Sequence, residues 1–62
     1  MLSIQEKINI LSPKDKTWIL EEVGVALNDP GYCKFYGVNY LNITEIDLIK
    51  VMETIYNIKF KN

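Results

Sequence analysis

The stretch from Thr44 to Phe60, TEIDLIKVMETIYNIKF, constrains the fold more than any other part of the chain. Its apolar residues recur at intervals of three and four, which is the period of an α-helix. The apolar arc covers more than half of the helix circumference, so a single neighbouring helix cannot bury it. The pattern therefore predicts a core helix near 45–59 that other elements cover from two sides.

Two shorter helices are predicted before this one. Residues 3–11 open with the Ser-x-x-Glu spacing of a capping box and place their apolar residues on one helical face. Ser12 is followed by proline, which is the pattern of an N-cap and a first helical residue. The second helix is therefore predicted near 13–27, and its apolar residues also fall mainly on one side.

The segment between the second and third helices is the hardest to assign. Residues 28–31, Asn-Asp-Pro-Gly, have the composition of a type II turn that ends the second helix. The aromatic residues that follow predict a short helical turn near 32–36 with Gly37 as its stop, and a hairpin around Gly37 is the alternative. The predicted fold is all-α, a small bundle of three short helices plus a short aromatic helical turn in one domain, 1–62.

A core this small leaves a thin margin of stability. Below ~70–80 residues a single core rarely supplies more than about 3–5 kcal/mol, so a disulfide, a metal or a second subunit is often needed. One Cys and no His exclude the usual forms of the first two, and we therefore expect a homodimer. The predicted core consists of Ile8, Leu11, Ile19, Leu20, Val23, Leu27, Leu48, Val51, Met52, Ile55 and Ile58.

The residue types present argue against catalysis. There is no His to act as a general base near neutral pH, and Cys33, beside several aromatic residues, is expected to be a small buried hydrophobe. Gly24, Gly31 and Gly37 fit no phosphate-binding pattern. We therefore expect no enzyme activity, no cofactor and no metal site.

Nucleic-acid binding is disfavoured by charge and composition. The net charge is −1 and all seven basic residues are Lys, so the side chain best suited to phosphate and guanine contacts is absent. The aromatic residues near Lys34 could stack on single-stranded bases, which keeps a weak single-stranded nucleic-acid binder as an alternative. Their other interpretation is core packing or a second candidate surface, formed by Tyr32, Phe35, Tyr36 and Tyr40.

Protein binding is the function that the pattern favours. Trp18 and Val25 lie together on the side of the second helix opposite its apolar stripe, and Glu21 and Glu22 flank them. Trp is strongly enriched at binding hot spots, and an acidic rim favours a basic partner. The alternative is that the N-terminal helix or the Tyr-rich loop covers Trp18 within the monomer.

Source and location follow from weaker signals. Nine Ile, seven Lys and six Asn against one Ala and no Arg indicate an AT-rich coding sequence, as in low-GC bacteria, their plasmids and their phages. No apolar run reaches the ~18 residues of a membrane span, and the start lacks a signal sequence, so we expect a cytoplasmic protein. The predicted function is a small non-catalytic adaptor, regulator or inhibitor that binds another protein, and a structural subunit of a larger assembly is the alternative.

Overall fold

The computed structural model describes residues 1–60, so 61–62, which the predicted domain includes, lie outside the described part. The described residues form four helices and no strand, which confirms the predicted all-α fold class. The helices are α1 (Ile4–Asn9), α2 (Pro13–Leu27), α3 (Pro30–Phe35) and α4 (Glu45–Phe60). The two long helices, α2 and α4, form the largest contact, while α3 packs on α2 and α1 contacts both long helices.

Side chains at the predicted capping positions begin three of the helices. The Ser3 hydroxyl accepts a hydrogen bond from the Glu6 backbone N–H at 3.2 Å, and the Glu6 carboxylate accepts one from the Ser3 N–H at 3.0 Å. Thr44 and Asp47 make the same reciprocal pair before α4, at 3.1 and 3.2 Å. The Ser12 hydroxyl accepts from the third residue of α2 at 3.3 Å. These bonds satisfy N–H groups that have no partner inside a helix.

The first helix is shorter than the predicted span of 3–11. It ends at Asn9, and Leu11 lies outside it. The reason lies in the next residue, because Ser12 must take the extended backbone of an N-cap, with φ −59° and ψ 155°. Proline at the following position also disfavours helical backbone at Ser12. The start of α2 therefore limits the length of α1.

The predicted type II turn at 28–31 is wrong. Pro30 and Gly31 are the first two residues of α3, and Asp29 is its N-cap. One Asp29 carboxylate oxygen accepts hydrogen bonds from the N–H groups of Gly31 at 2.7 Å and Tyr32 at 3.2 Å. Aspartate before proline is also a helix-opening pattern, and here it prevails over the turn pattern. Two residues therefore suffice to join α2 to α3.

A glycine in the left-handed region ends α3. Gly37 has φ 75°, its N–H donates to the Lys34 carbonyl at 3.1 Å, and the Val38 N–H donates to the Cys33 carbonyl at 2.8 Å. This pair of bonds is a Schellman motif, which requires a residue that tolerates positive φ. The predicted stop at Gly37 is confirmed, and the predicted helical turn is confirmed over the alternative hairpin, although α3 runs from Pro30 to Phe35 and not over 32–36.

The core of the described residues is one cluster of ten buried side chains. They are Ile4, Ile8, Ile19, Val23, Ala26, Cys33, Val38, Val51, Met52 and Ile55. Leu11, Leu27 and Leu48, which we predicted to be in the core, pack against the cluster and are only partly buried. The expected burial of Cys33 is confirmed, since its side chain is 1% exposed.

Two predicted core residues are exposed, which corrects the predicted core. Leu20 is 51% exposed and Ile58 is 70% exposed. Both lie on the flanks of apolar stripes, with Leu20 turned 100° from the fully buried Ile19 and Ile58 in the last turn of α4. The helix that contacts both α2 and α4 has six residues and is only about 9 Å long. It is therefore too short to cover either of the long helices along its whole length.

Candidate protein-interaction surface

The side chain of Trp18 packs partly against the core cluster. Its ring meets that of Phe60 edge to face, with the centroids 6.1 Å apart and the planes at 83°. The Phe60 ring in turn contacts Tyr56, at 5.2 Å between centroids. The last turn of α4 therefore contacts Trp18. The sequence indicated the N-terminal helix or the Tyr-rich loop as a cover for this residue, and did not indicate α4. Trp18 is neither fully buried nor fully exposed.

Two lysines lie near these aromatic rings. The Lys59 ammonium is 3.9 Å from the centroid of the Trp18 ring and 5.7 Å from that of Phe60. The Lys7 ammonium is 5.8 Å from the centroid of Tyr56. A cation over an aromatic face is attracted by the ring quadrupole, most strongly over Trp. Lys59 therefore helps to hold Trp18 against α4.

The other predicted partner-binding residues of α2 are exposed. Val25 is 55% exposed, and Glu21 and Glu22 are also exposed. Val25 lies two turns from Trp18, about 10 Å along the helix axis. An open hollow surrounds it, and Trp18 does not contribute to the lining. The residues that line this α2 hollow are Glu21, Gly24, Val25, Asn28 and Asp29.

A second open hollow lies on α3. Its lining consists of Asp29, Gly31, Tyr32 and Phe35, and it is almost entirely apolar. Tyr32 is 50% exposed and Phe35 is 76% exposed. Asp29 lines both hollows, because it is the N-cap of α3 and follows the end of α2. The two hollows therefore adjoin, and we call their combined lining the α2–α3 surface.

The charge of the α2–α3 surface is mainly negative. Glu21 and Asp29 line it, Glu22 is exposed beside them, and the last turn of α2 carries no basic residue. The C-terminal end of α2 and the N-terminal end of α3 both lie here, and their partial charges have opposite signs, so the negative charge comes from the side chains. Lys34 on α3 is the basic residue nearest in sequence to this lining. An acidic rim thus accompanies exposed apolar side chains.

Gly24 lies on this surface, within α2. A Cβ atom built on Gly24 would meet nothing within 4 Å, apart from the two neighbouring residues in the chain and the helix's own backbone. Among the described residues, the only glycine with positive φ is Gly37, so the backbone at Gly24 is accessible to any L-residue. Neither internal packing nor backbone geometry in the described part of the chain requires a glycine here.

The four aromatic residues of the second candidate surface are not all together. Tyr32 and Phe35 line the same hollow. Tyr36 packs partly against the core and meets Phe35 edge to face at 5.1 Å between centroids. Tyr40 lies beyond Gly37 in the segment that leads to α4 and is 42% exposed. The structure thus places two of these rings on the α2–α3 surface and one against the core.

Sequence reasoning missed four residues of the α2–α3 surface. Asn28, Asp29 and Gly31 belong to the predicted turn, and Gly24 was not predicted to bind a partner. The Asn28 side-chain amide donates to the Gly24 carbonyl at 2.7 Å, so Asn28 also closes the end of α2. The Asp-Pro pair was the signal that could have located this surface, because it moves the start of α3 to within two residues of α2.

A separate exposed face lies on α4. Ile46 is 78% exposed, and it lines a shallow hollow with the polar residues of the same side of the helix. The lining consists of Ile46, Ile49, Lys50, Glu53, Thr54 and Asn57. We call this lining the α4 face. Leu41, in the segment before α4, is 90% exposed.

The Cys33 thiol and the Glu6 carboxyl are the two reactive groups with distinctive surroundings in the described part of the chain. Within residues 1–60, no group of three or more His, Cys, Asp or Glu side chains could hold a metal ion. The Cys33 thiol is buried and donates weakly to the Ala26 carbonyl, at 3.3 Å from sulfur to oxygen. Ser3 lowers the pKa of the Glu6 carboxyl below its usual value of 4.5, through its backbone N–H first and its hydroxyl second. This shift belongs to a helix cap and lies away from the α2–α3 surface.

Comparison with protein-family models, with curated proteins and with solved structures gives no match for this chain. None of the described helices combines the length and apolar character that crossing a membrane requires. The geometry of the surfaces is therefore the basis for a functional proposal.

Proposed function

We propose that this chain is a small non-catalytic protein-binding module that acts as an adaptor, regulator or inhibitor in the cytoplasm. The observation that carries the proposal is the exposure of Phe35, at 76%, beside Tyr32 and Val25, which are about half exposed. These three side chains line two adjoining hollows that Asp29 joins. Exposed aromatic and apolar side chains that are grouped on one open surface are typical of protein-binding sites.

The charge around the α2–α3 surface supports a protein partner over a nucleic acid. Glu21 and Asp29 lie in the lining, and their carboxylates would repel phosphate groups. Lys34 is exposed on α3, but a single Lys gives little counterion release and hence little affinity for a nucleic acid. An acidic rim around apolar side chains suits a protein surface with basic residues.

Trp18 takes a place at the border of the proposed surface. It shares the side of α2 with Val25, as predicted, but its ring packs against Phe60 and lies outside the lining of the α2 hollow. Because the Trp18 ring is held in these contacts, we place Val25 and Phe35 at the centre of the proposed binding surface. Glu21 and Asp29 are then the acidic side chains of the lining, and Glu22 is exposed next to Glu21 in the sequence.

The test is affinity capture with matched surface variants. The tagged chain is used as bait in a lysate of a low-GC bacterium, alongside the Val25→Ser and Phe35→Ser variants. Ile10→Ser is the control, because Ile10 is 73% exposed and lies outside the α2–α3 surface. We expect one protein to be retained by the wild type and the control and lost with both surface variants, and to bind when purified.

Two results would contradict the proposal. The first is retention of the same proteins by all four baits, which would mean that the α2–α3 surface does not bind them. The second is capture that disappears after nuclease treatment and falls steeply with salt, which is the signature of a nucleic-acid ligand.

A further inference from the structure

The presence of a glycine at position 24 is not explained by the fold. Glycine in the middle of a helix lowers its stability relative to alanine, because the unfolded backbone loses more freedom. A Cβ at Gly24 would meet no atom within 4 Å beyond the two neighbouring residues in the chain and the helix's own backbone, so alanine would fit the free protein. A glycine that weakens a helix without relieving any internal contact indicates a requirement from outside the described chain.

The position of Gly24 indicates what that requirement is. It lies on the α2 surface between exposed Val25 and the carboxylate of Glu21, with Asn28 one turn further on. Because Gly24 has no Cβ atom, the surface of α2 lies closer to the helix axis at this position. A second backbone can therefore approach more closely here than over any other residue. Glycine has this role where two helices cross at short distance.

The secondary structure indicates the form of the approaching backbone. Residues 1–60 contain no strand, so an extended peptide has no sheet edge to pair with. A helix satisfies its own backbone hydrogen bonds and can lay an apolar side against a groove. The carboxylates of Glu21 and Asp29 favour positive charge on that helix.

We propose that the partner of this module presents a basic amphipathic helix that crosses α2 at Gly24. The apolar side of that helix packs on Val25 and on the α3 hollow, and its Lys or Arg side chains pair with Glu21 and Asp29. This inference rests on the proposed function, and it specifies the partner's chemistry and the point of closest approach.

The probe is a pair of synthetic helical peptides. One carries Leu at i, i+3, i+4 and i+7 spacing with Lys at the remaining positions, and the other carries Glu in place of Lys. Binding of the fluorescently labelled peptides to the full chain is measured by anisotropy. We expect the Lys peptide to bind at least about tenfold more tightly than the Glu peptide.

Gly24→Ala is the decisive variant because its two effects have opposite signs. In the free protein we expect the midpoint of thermal unfolding to rise by about 4–8 °C, the shift that a better helix former gives in so small a domain. Affinity for the Lys peptide should fall about tenfold or more, since the added methyl group occupies the point of closest approach. A variant that fails to fold cannot give this combination.

Matched controls lie on α4. Asn57→Ala improves helix propensity at an exposed position and should leave affinity for the Lys peptide unchanged. Glu21→Lys should weaken that binding, whereas Glu53→Lys, with the same change of charge on the α4 face, should have a smaller effect. Equal losses from both charge changes would mean that only the net charge matters and would overturn the proposed site.

The failure of this inference can be distinguished from the failure of the proposed function. Unchanged affinity of Gly24→Ala for the Lys peptide, equal binding of both peptides, or no binding of either would overturn the inference. If Val25→Ser and Phe35→Ser still abolish capture of a partner protein, the proposed function stands in each case. If those two variants also have no effect on capture, the proposed function fails as well.

Discussion

At the scale of single residues, Trp18 was predicted to lie on a partner-binding surface, and the structure shows its side chain partly packed against the core. Its ring packs edge to face against Phe60, and the Lys59 ammonium lies 3.9 Å from its centroid. We expect Trp18→Ala to lower the unfolding free energy by about 2 kcal/mol, less than the ~3–5 kcal/mol for a fully buried Trp. Urea denaturation of the purified variant measures this change.

Two further variants separate the contributions around Trp18. Trp18→Phe retains an aromatic ring against Phe60 and should restore part of the lost stability. Lys59→Met keeps an apolar chain over the ring but removes the charge, and should cost about 0.5–1 kcal/mol. A loss below about 1 kcal/mol for Trp18→Ala, combined with a loss of partner binding, would instead make Trp18 an interface anchor.

Gly37 and Gly24 should respond oppositely to the same substitution. Gly37→Ala places a Cβ at φ 75° and is expected to cost about 1–2 kcal/mol, because L-residues are strained in the left-handed region. Gly24→Ala meets no such strain and should stabilise the helix. Thermal unfolding of the two variants beside the wild type measures both effects. Stabilisation by Gly37→Ala would mean that the Schellman motif does not form.

At the scale of helices, α1 should lose stability in acid. Hydrogen bonds from Ser3 favour the charged form of Glu6 and so lower its pKa. A group whose pKa is lower in the folded state adds stability above its usual pKa of 4.5, and this stability is lost as pH falls through the lower folded value. We expect Glu6→Gln to remove this part of the pH dependence.

The contribution of Glu6 to the pH dependence of the unfolding free energy should be small, because its carboxylate is fully exposed and screened by solvent. Urea denaturation is therefore measured at several pH values from neutral to below 4.5, for the wild type, Glu6→Gln and Glu22→Gln. Glu22 is exposed on α2 and lies outside any capping box and outside the α4 face, so its variant is the control. Parallel pH curves for the wild type and Glu6→Gln would contradict the prediction.

Helix boundaries were predictable where a few neighbouring residues determine them. Ser3, Ser12 and Thr44 each cap a helix at the residue that the sequence indicates, and Gly37 ends α3 through its own backbone. The assignment failed at Asp29, where a turn pattern and a helix-capping pattern compete and the cap forms. It also failed at the end of α1, which falls at Asn9 because Ser12 begins the next helix.

Burial was less predictable, because it depends on which elements meet. Leu20 and Ile58 lie on predicted apolar stripes, yet the short α1 leaves both exposed. Val38 is buried although it follows Gly37 and belongs to no periodic segment. The predicted rim residues Glu21 and Glu22 are exposed, but the hollows beside them depend on the α2–α3 junction, which no periodicity describes.

At the scale of the whole molecule, the α4 face is left uncovered. Ile46 is 78% exposed at one end of this face, and Lys50 and Glu53 lie near its middle. In an antiparallel pairing of two α4 helices, Lys50 of one copy would lie opposite Glu53 of the other. We therefore expect a homodimer, which sedimentation equilibrium would detect as a mass above 7.2 kDa.

A matched pair of variants locates the dimer contact. Ile46→Ser should weaken self-association about tenfold, the effect of removing a buried apolar side chain. Ile10→Ser removes a side chain that is equally exposed but lies outside the α4 face, and should leave association unchanged. A single species of 7.2 kDa for the wild type at tens of micromolar would count against the dimer.

The buried thiol of Cys33 can report on the opening of the α2–α3 junction. Cys33 is 1% exposed and lies against the Ala26 and Leu27 carbonyls, so a thiol reagent reaches it only when the α2–α3 junction opens. The rate of labelling, divided by that of a free thiol, then gives the opening equilibrium of this junction in the unmodified protein. A ligand bound across the α2–α3 surface should slow labelling, so occupancy can be followed in a mixture without a tag and before the ligand is identified.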